Sequence, residues 1–148
     1  MQRLNLPNYS IKLKKEHNKT FVFDPIRTKY LILTPEEWVR QNFIQFLIKE
    51  KNYPASLMAV EMGIDLLNTK KRCDIVCYNT RGLPHMIVEC KGPSIKITQK
   101  TFDQIARYNM KLNSELLIVT NGIEHYISKM NHTNKNYQFL KEIPIYYQ

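Results

Sequence analysis

The chain has 148 residues, of which 43% are apolar and 24% charged, and its 22 Lys and Arg against 13 Asp and Glu leave a net charge of +9. That length suits one domain with its own core. No run approaches the roughly 20 apolar residues that cross a bilayer, and Met1–Tyr9 lacks the apolar stretch of a secretory leader, so a cytoplasmic protein without a membrane span is expected.

The basic surplus favours a polyanionic partner. The cysteines, Cys73, Cys77 and Cys90, are odd in number and lack C-x-x-C spacing. They read as reduced core thiols rather than as a disulfide framework or a zinc site.

Residues 1–33 form a β-rich leading segment. Thr20–Phe23 and Lys29–Leu33 are rich in β formers, and Asp24-Pro25 between them favours a turn. Thr34–Lys51 is a well-marked helix: Thr34 suits the N-cap, Pro35 the first helical position, and Glu37 completes a T-x-x-E capping box. Val39, Phe43, Phe46 and Leu47, widened by Ile44 and Ile48, make its apolar stripe. Glu36 projects close to that stripe, where it either pairs with Arg40 one turn on or reaches a site at the core edge.

Tyr53-Pro54 stops the helix. Leu57–Leu66 is a strand in which Gly63 suits a bulge and Glu61 is read as facing water. Asn68–Arg72 is a polar, basic turn. The strands Arg72–Asn79 and His85–Lys91 then form an antiparallel pair across a loop holding Gly82 and Pro84. Thr98–Leu112 is a second helix, with Phe102, Ile105, Ala106, Asn109 and Leu112 on one face and Gln104 and Tyr108 together at its edge. Leu116–Thr120 is strongly β, Asn121-Gly122 is a tight turn, and His125–Lys129 is the return strand. After a polar loop, Tyr137–Ile143 is a last strand. This order predicts one α/β domain, a mixed central sheet flanked by helices, with its core in residues 34–148.

The chemistry concentrates in the central pair. Alternation puts Ile87, Glu89 and Lys91 on one face of their strand and Met86, Val88 and Cys90 on the other. If the two strands are neighbours in register, Asp74 and Glu89 converge with Lys91 beside them. Two carboxylates aimed at one point suit a hard divalent cation such as Mg²⁺.

These elements and residues resemble the PD-(D/E)XK nuclease superfamily, with a restriction-endonuclease-like core. Asp74 falls at the family's first acid, and Glu89-Cys90-Lys91 is the (D/E)XK element. Gln104-Ile105-Ala106-Arg107-Tyr108 fits the Q-x-x-x-Y motif of RecB-like members. Leu33–Gln41, Lys71–Val76, Val88–Lys91 and Thr120–Gly122 are similar to the N-terminal nuclease domain of type I restriction enzyme R subunits. The chain has no G-x-x-x-x-G-K-[ST], so the ATP-driven motor of full R subunits is not expected in it.

The resemblance implies Mg²⁺-dependent hydrolysis of DNA phosphodiester bonds, with Mn²⁺ as a substitute ion. Asp74, Glu89 and the Cys90 backbone carbonyl would hold the ion, with Glu36 as a further ligand. Lys91 would act on the attacking water and the developing charge, and Gln104 and Tyr108 would supply uncharged hydrogen-bonding groups. Lys70, Lys71 and Arg72 would contact phosphates. DNA and a separate motor or restriction-system subunit are the implied partners. The alternative is a module with a nuclease fold that binds nucleic acid or docks on a partner without cutting.

Overall fold

The computed structural model describes residues 2–66 and 69–147, and the side chains of all of these except residues 63–71. Three short strands, β1 (Leu13–Glu16), β2 (Lys19–Asp24) and β3 (Lys29–Ile32), form an antiparallel sheet ahead of the first helix. β1 was not expected, because L-K-K-E has no apolar alternation and is exposed throughout. Asp24 closes the β2–β3 turn by accepting from the Ile26 and Arg27 amides.

Helix α1 (Pro35–Lys51) begins as expected, the Thr34 hydroxyl accepting from the Glu37 amide at 3.0 Å. The other half of the capping box does not form as read. The Glu37 carboxylate is instead bonded to Arg27, Arg40 and Gln41. Asn52, in the left-handed region at φ 62°, ends the helix.

The main sheet follows: β4 (Met58–Leu66), β5 (Thr69–Tyr78), β6 (Pro84–Cys90), β7 (Leu116–Thr120), β8 (His125–Asn131) and β9 (Asn136–Leu140), lying side by side in chain order. Among the described residues, only β6 and β7 pair in parallel, across helix α2 (Gln99–Met110), and the other pairings of this sheet are antiparallel. Of the turn expected at 68–72, residues 69–72 are strand, Leu66 pairing with Thr69 and Asp65 with Lys70, and residue 68 lies outside the described residues. The backbone ladder with β4 therefore continues through the basic run.

The two helices cover opposite faces. Val39, Phe43, Ile44 and Leu47 of α1 pack on Ile75, Cys77, Met86, Val88, Cys90, Leu116 and Ile118. Phe102, Ile105 and Ala106 of α2 pack on Cys73, Val76, Ile87, Leu117 and Val119. The result is a restriction-endonuclease-like α/β architecture. The three cysteines are buried and none is in a disulfide. Burial alone lifts the Cys77 thiol to about 12.

Gly122, at φ 87° in the β7–β8 turn, is pinned from both sides: a Cβ there would meet Leu4 at 2.7 Å and Val39 at 3.0 Å. Its carbonyl accepts from the Asn5 amide at 2.8 Å, which straps the N-terminal segment onto the core. Among the described residues, no helix is long and apolar enough to cross a membrane.

Candidate active site

Arg40 lies on the buried face of α1 because it stands three, four and seven residues before Phe43, Ile44 and Leu47. Its side chain is only 5% exposed, and it is ion-paired to four carboxylates: Glu37 at 2.5 Å, Asp74 at 2.6 Å, Glu61 at 2.7 Å and Glu36 at 3.3 Å. Burial works against its charge. The bond and charge of Asp74, with those of Glu37, outweigh that and hold its pKa above the ordinary value.

Asp74 reaches this cluster because β5 is irregular at that point. Val60 pairs with Ile75 and Met62 with Cys73, but Glu61 and Asp74 between them are out of the ladder, and Glu61 has φ 56°. The break in alternation is visible in the core, where Cys73 packs on the α2 side and Ile75 on the α1 side. Asp74 is thereby turned toward α1. Its Oδ1 accepts from Arg40 and its Oδ2 from the Cys90 amide at 2.8 Å. The second bond sits where the β5–β6 ladder stops, at Ile75–Val88. A side-chain oxygen there takes the place of a strand carbonyl, and the two strands part.

Glu36, in the exposed first turn of α1, completes the group on this side. Its carboxyl shares the Arg40 Nη2 with that of Asp74. Burial first, and then the Asp74 charge, push its pKa up, with Arg40 and Lys91 pulling the other way. The pairing with Arg40 and the approach to Asp74 therefore both occur. Lys91 is half-buried just past the end of β6, its amide bonded to the Thr120 carbonyl at 2.8 Å.

Glu89 arrives differently. The register expected of β5 and β6 is present, and one step beyond Ile75–Val88 it opposes Asp74 and Glu89. Alternation puts Glu89 on the α2 side with Ile87. Tyr108 of α2 is half-buried and its hydroxyl pKa is raised, by burial first and then by the charges of Cys73 and Glu89. A regular β5 would have put Asp74 on the same face as Glu89. The irregularity at Glu61 and Asp74 turns Asp74 to the α1 side instead, so the two carboxylates expected to converge lie toward opposite faces of the sheet.

Gln104 is exposed on α2. Arg72 is also exposed, and one of its guanidinium nitrogens stands 3.4 Å from Glu61. The side chains of Lys70 and Lys71 lie outside the described residues. Glu61, read from sequence as facing water, is bonded to Arg40 instead. Among the described residues, no three His, Cys, Asp or Glu side chains are disposed as a ready ion-binding group. The cation on which the α1-side acids converge is Arg40. A groove of about 700 Å³ on the β8–β9 hairpin, lined by Lys129, His132, Asn136 and Tyr137 among others, contains none of these acids.

The sequence profile of the type I restriction enzyme R protein N terminus matches residues 35–144, from the start of α1 to beyond β9. The chain belongs to that family. No curated protein matches it. As an R-protein N-terminal domain it is of the nuclease kind, and the matched span includes Glu36, Arg40, Asp74, Glu89, Lys91 and Tyr108. The β1–β3 sheet lies outside that span.

Arg40 and Glu61 are the residues that sequence reasoning undervalued. A signal for Arg40 was present: a charged residue in phase with Phe43, Ile44 and Leu47 on a helix whose opposite face is polar.

Proposed function

We propose that the chain hydrolyses DNA phosphodiester bonds with Mg²⁺ where β5 and β6 part, Mn²⁺ serving as a substitute. The observation carrying this reading is that Asp74 and Glu36 are drawn together on one nitrogen of Arg40, with Asp74 also bonded to the Cys90 amide next to Lys91, in a chain of this family. The donor chemistry fits: carboxylate oxygens of Asp74 and Glu36, with Glu89 and the Cys90 backbone carbonyl from β6, are the hard ligands Mg²⁺ takes. The bound ion would supply polarisation of the phosphoryl group and a more acidic water.

The chain's own groups do the rest. Asp74 is oriented from two sides, by Arg40 and the Cys90 amide. Lys91 only donates, so it is not a ligand; it orients the attacking water and places positive charge beside the reacting phosphate. Tyr108 and Gln104 offer uncharged donors from α2. Arg72, Lys70 and Lys71 hold the backbone without reading sequence. DNA and a separate motor or restriction-system subunit are the partners.

One observation favours a second reading. Asp74 already bonds through both oxygens, one of them to Arg40, as suits a module that binds nucleic acid or docks on a partner without cutting. A plasmid-nicking time course in Mg²⁺, Mn²⁺ or EDTA decides between them. Nicking that requires the ion and is lost in Lys91→Ala supports the nuclease. A wild-type protein that binds DNA but does not nick it under either ion leaves the non-cutting module.

A further inference from the structure

We infer that Arg40 is a built-in counter-cation, a positioning residue that stands among the acids in place of a divalent ion and keeps the metal-free protein folded. The inference rests on the proposed reading that these acids hold a divalent ion.

The argument starts from the two ends of one guanidinium. The Nη1 end serves Glu37, which is independently held by Arg27 at 3.1 Å and by Gln41 at 3.0 Å. That arm is a satisfied network with its own second cation. The Nη2 end has two protons and three carboxylates around it: Asp74, Glu61 and Glu36 at 2.6, 2.7 and 3.3 Å. Three acids compete for two hydrogens, and the longest bond falls to Glu36, the most exposed of the three with a side chain 48% open.

Among the described residues, other cations reach this arm only at its rim. Arg72, itself 74% exposed, is 3.4 Å from Glu61, and Lys91 acts on Glu36. Removing Arg40 therefore leaves Asp74 and Glu61 in the irregular step of β4–β5 with no buried positive charge among the described residues. Breaking a buried ion pair by deleting one partner is strongly destabilising, because the orphaned charge has lost its solvent. A divalent cation brings the missing charge to hard oxygens of the kind it prefers. It binds the folded arrangement and not the dispersed acids of the unfolded chain, so it must raise stability by linkage.

The expectation is metal rescue. In Arg40→Met, which keeps the unbranched stem of the side chain and removes the charged guanidinium, the unfolding temperature in EDTA drops well below wild type. Ca²⁺ or Mg²⁺, at a concentration about a hundred times its dissociation constant, recovers roughly 5–10 °C of that loss. Wild type gains less, since its Asp74 is already paired with Arg40. Arg40→Lys, with one charge and no fork, falls between the two in both respects.

Thermal unfolding of the three proteins in EDTA, Ca²⁺, Mg²⁺ and NaCl of matched ionic strength is the test, with refolding in Ca²⁺ if Arg40→Met is unfolded in EDTA. An Arg40→Met protein as stable as wild type in EDTA overturns the inference. So does one that divalent ions restore no better than NaCl, or one that stays unfolded with and without the ion. The nuclease reading is judged separately, by nicking in the wild type. Rescue without wild-type nicking keeps the role of Arg40 and removes the nuclease; nicking without rescue does the reverse.

Discussion

Arg40 and Lys14 each carry one positive charge among several partners, but they sit in opposite surroundings. Arg40 is 5% exposed and meets four carboxylates on the inner face of α1. Lys14 is 43% exposed, pairs with Glu16 at 3.3 Å and lies 4.2 Å from the centre of the Tyr30 ring on the outer face of the β1–β3 sheet. Water screens everything Lys14 does and almost nothing that Arg40 does. Counting contacts would rank the two alike. Burial separates them.

The contrast is sharpest where charge meets the proposed chemistry. Lys91→Ala should lower the rate of Mg²⁺-dependent nicking by about a hundredfold to a thousandfold, the cost of losing one preorganised charge-stabilising group. Its fold should be intact by circular dichroism. Metal binding should also persist, since the ammonium is no ligand, whereas Asp74→Ala should lose metal binding together with activity. Full activity in a folded Lys91→Ala protein would sever the acids around Arg40 from catalysis.

Glu37→Ala comes next in size. It leaves Arg27, Arg40 and Gln41 without their shared acceptor, and losing one partner of a buried pair costs about 3–5 kcal/mol. Urea unfolding measures it. A loss below about 1 kcal/mol would mean the buried network behaves like a surface one, and the comparison with Lys14 would collapse.

Much of this arrangement was legible from residues alone, and the parts that were not share a cause. Thr34 and Pro35 marked the start of α1, alternation sorted Met86 to Cys90 onto two faces, and Asn121-Gly122 marked its turn. Each of these is a local rule. Asp74 departs from alternation because of the residue opposite it: Glu61 on β4 and Asp74 on β5 leave the ladder together, and no window along one strand contains both. Glu61 and Glu37 were placed by local logic, facing water and capping a helix, but both were claimed by Arg40 from a distance in sequence. A buried arginine with several acids is a tertiary event. In the sequence it appears only as a charge out of place on an apolar stripe.

His125 is an intermediate case. Its Nδ1 lies 2.7 Å from the Thr120 hydroxyl and its Nε2 2.9 Å from the Asn5 carbonyl. A carbonyl only accepts, so Nε2 carries a hydrogen and donates to Asn5, and in the neutral ring Nδ1 accepts from the Thr120 hydroxyl, whose oxygen also accepts from the Gly122 amide. Burial lowers the pKa of the ring below 6.5, the Asn5 bond opposing in part. Between the folded value and 6.5 the unfolded chain binds more protons. The stabilisation is therefore present above about 6.5 and lost as pH falls through the folded value. Subtracting the stability–pH curve of His125→Gln from that of wild type should leave a step of that sign. A difference that is flat from pH 5 to 8 would show that the ring titrates alike in both states.

The smallest effect belongs to the outer sheet. Lys12 stands 5.3 Å from the centre of the Phe23 ring and Lys14 4.2 Å from that of Tyr30, and Phe23 and Tyr30 meet edge to face at 5.2 Å. Exposed cation–π contacts of this kind are worth about 0.5–1 kcal/mol each, and the Lys14–Glu16 pair adds little more. Replacing both lysines with alanine also releases two long side chains from their ordered positions, which returns part of that energy as entropy. The Lys12→Ala/Lys14→Ala protein should therefore lose about 1 kcal/mol or less, and raising NaCl to 1 M should remove most of the difference from wild type, because salt screens exposed charges and leaves buried ones largely unaffected. The same salt should leave the loss in Glu37→Ala nearly unchanged. If both losses respond to salt alike, exposure does not govern what a charge is worth in this molecule.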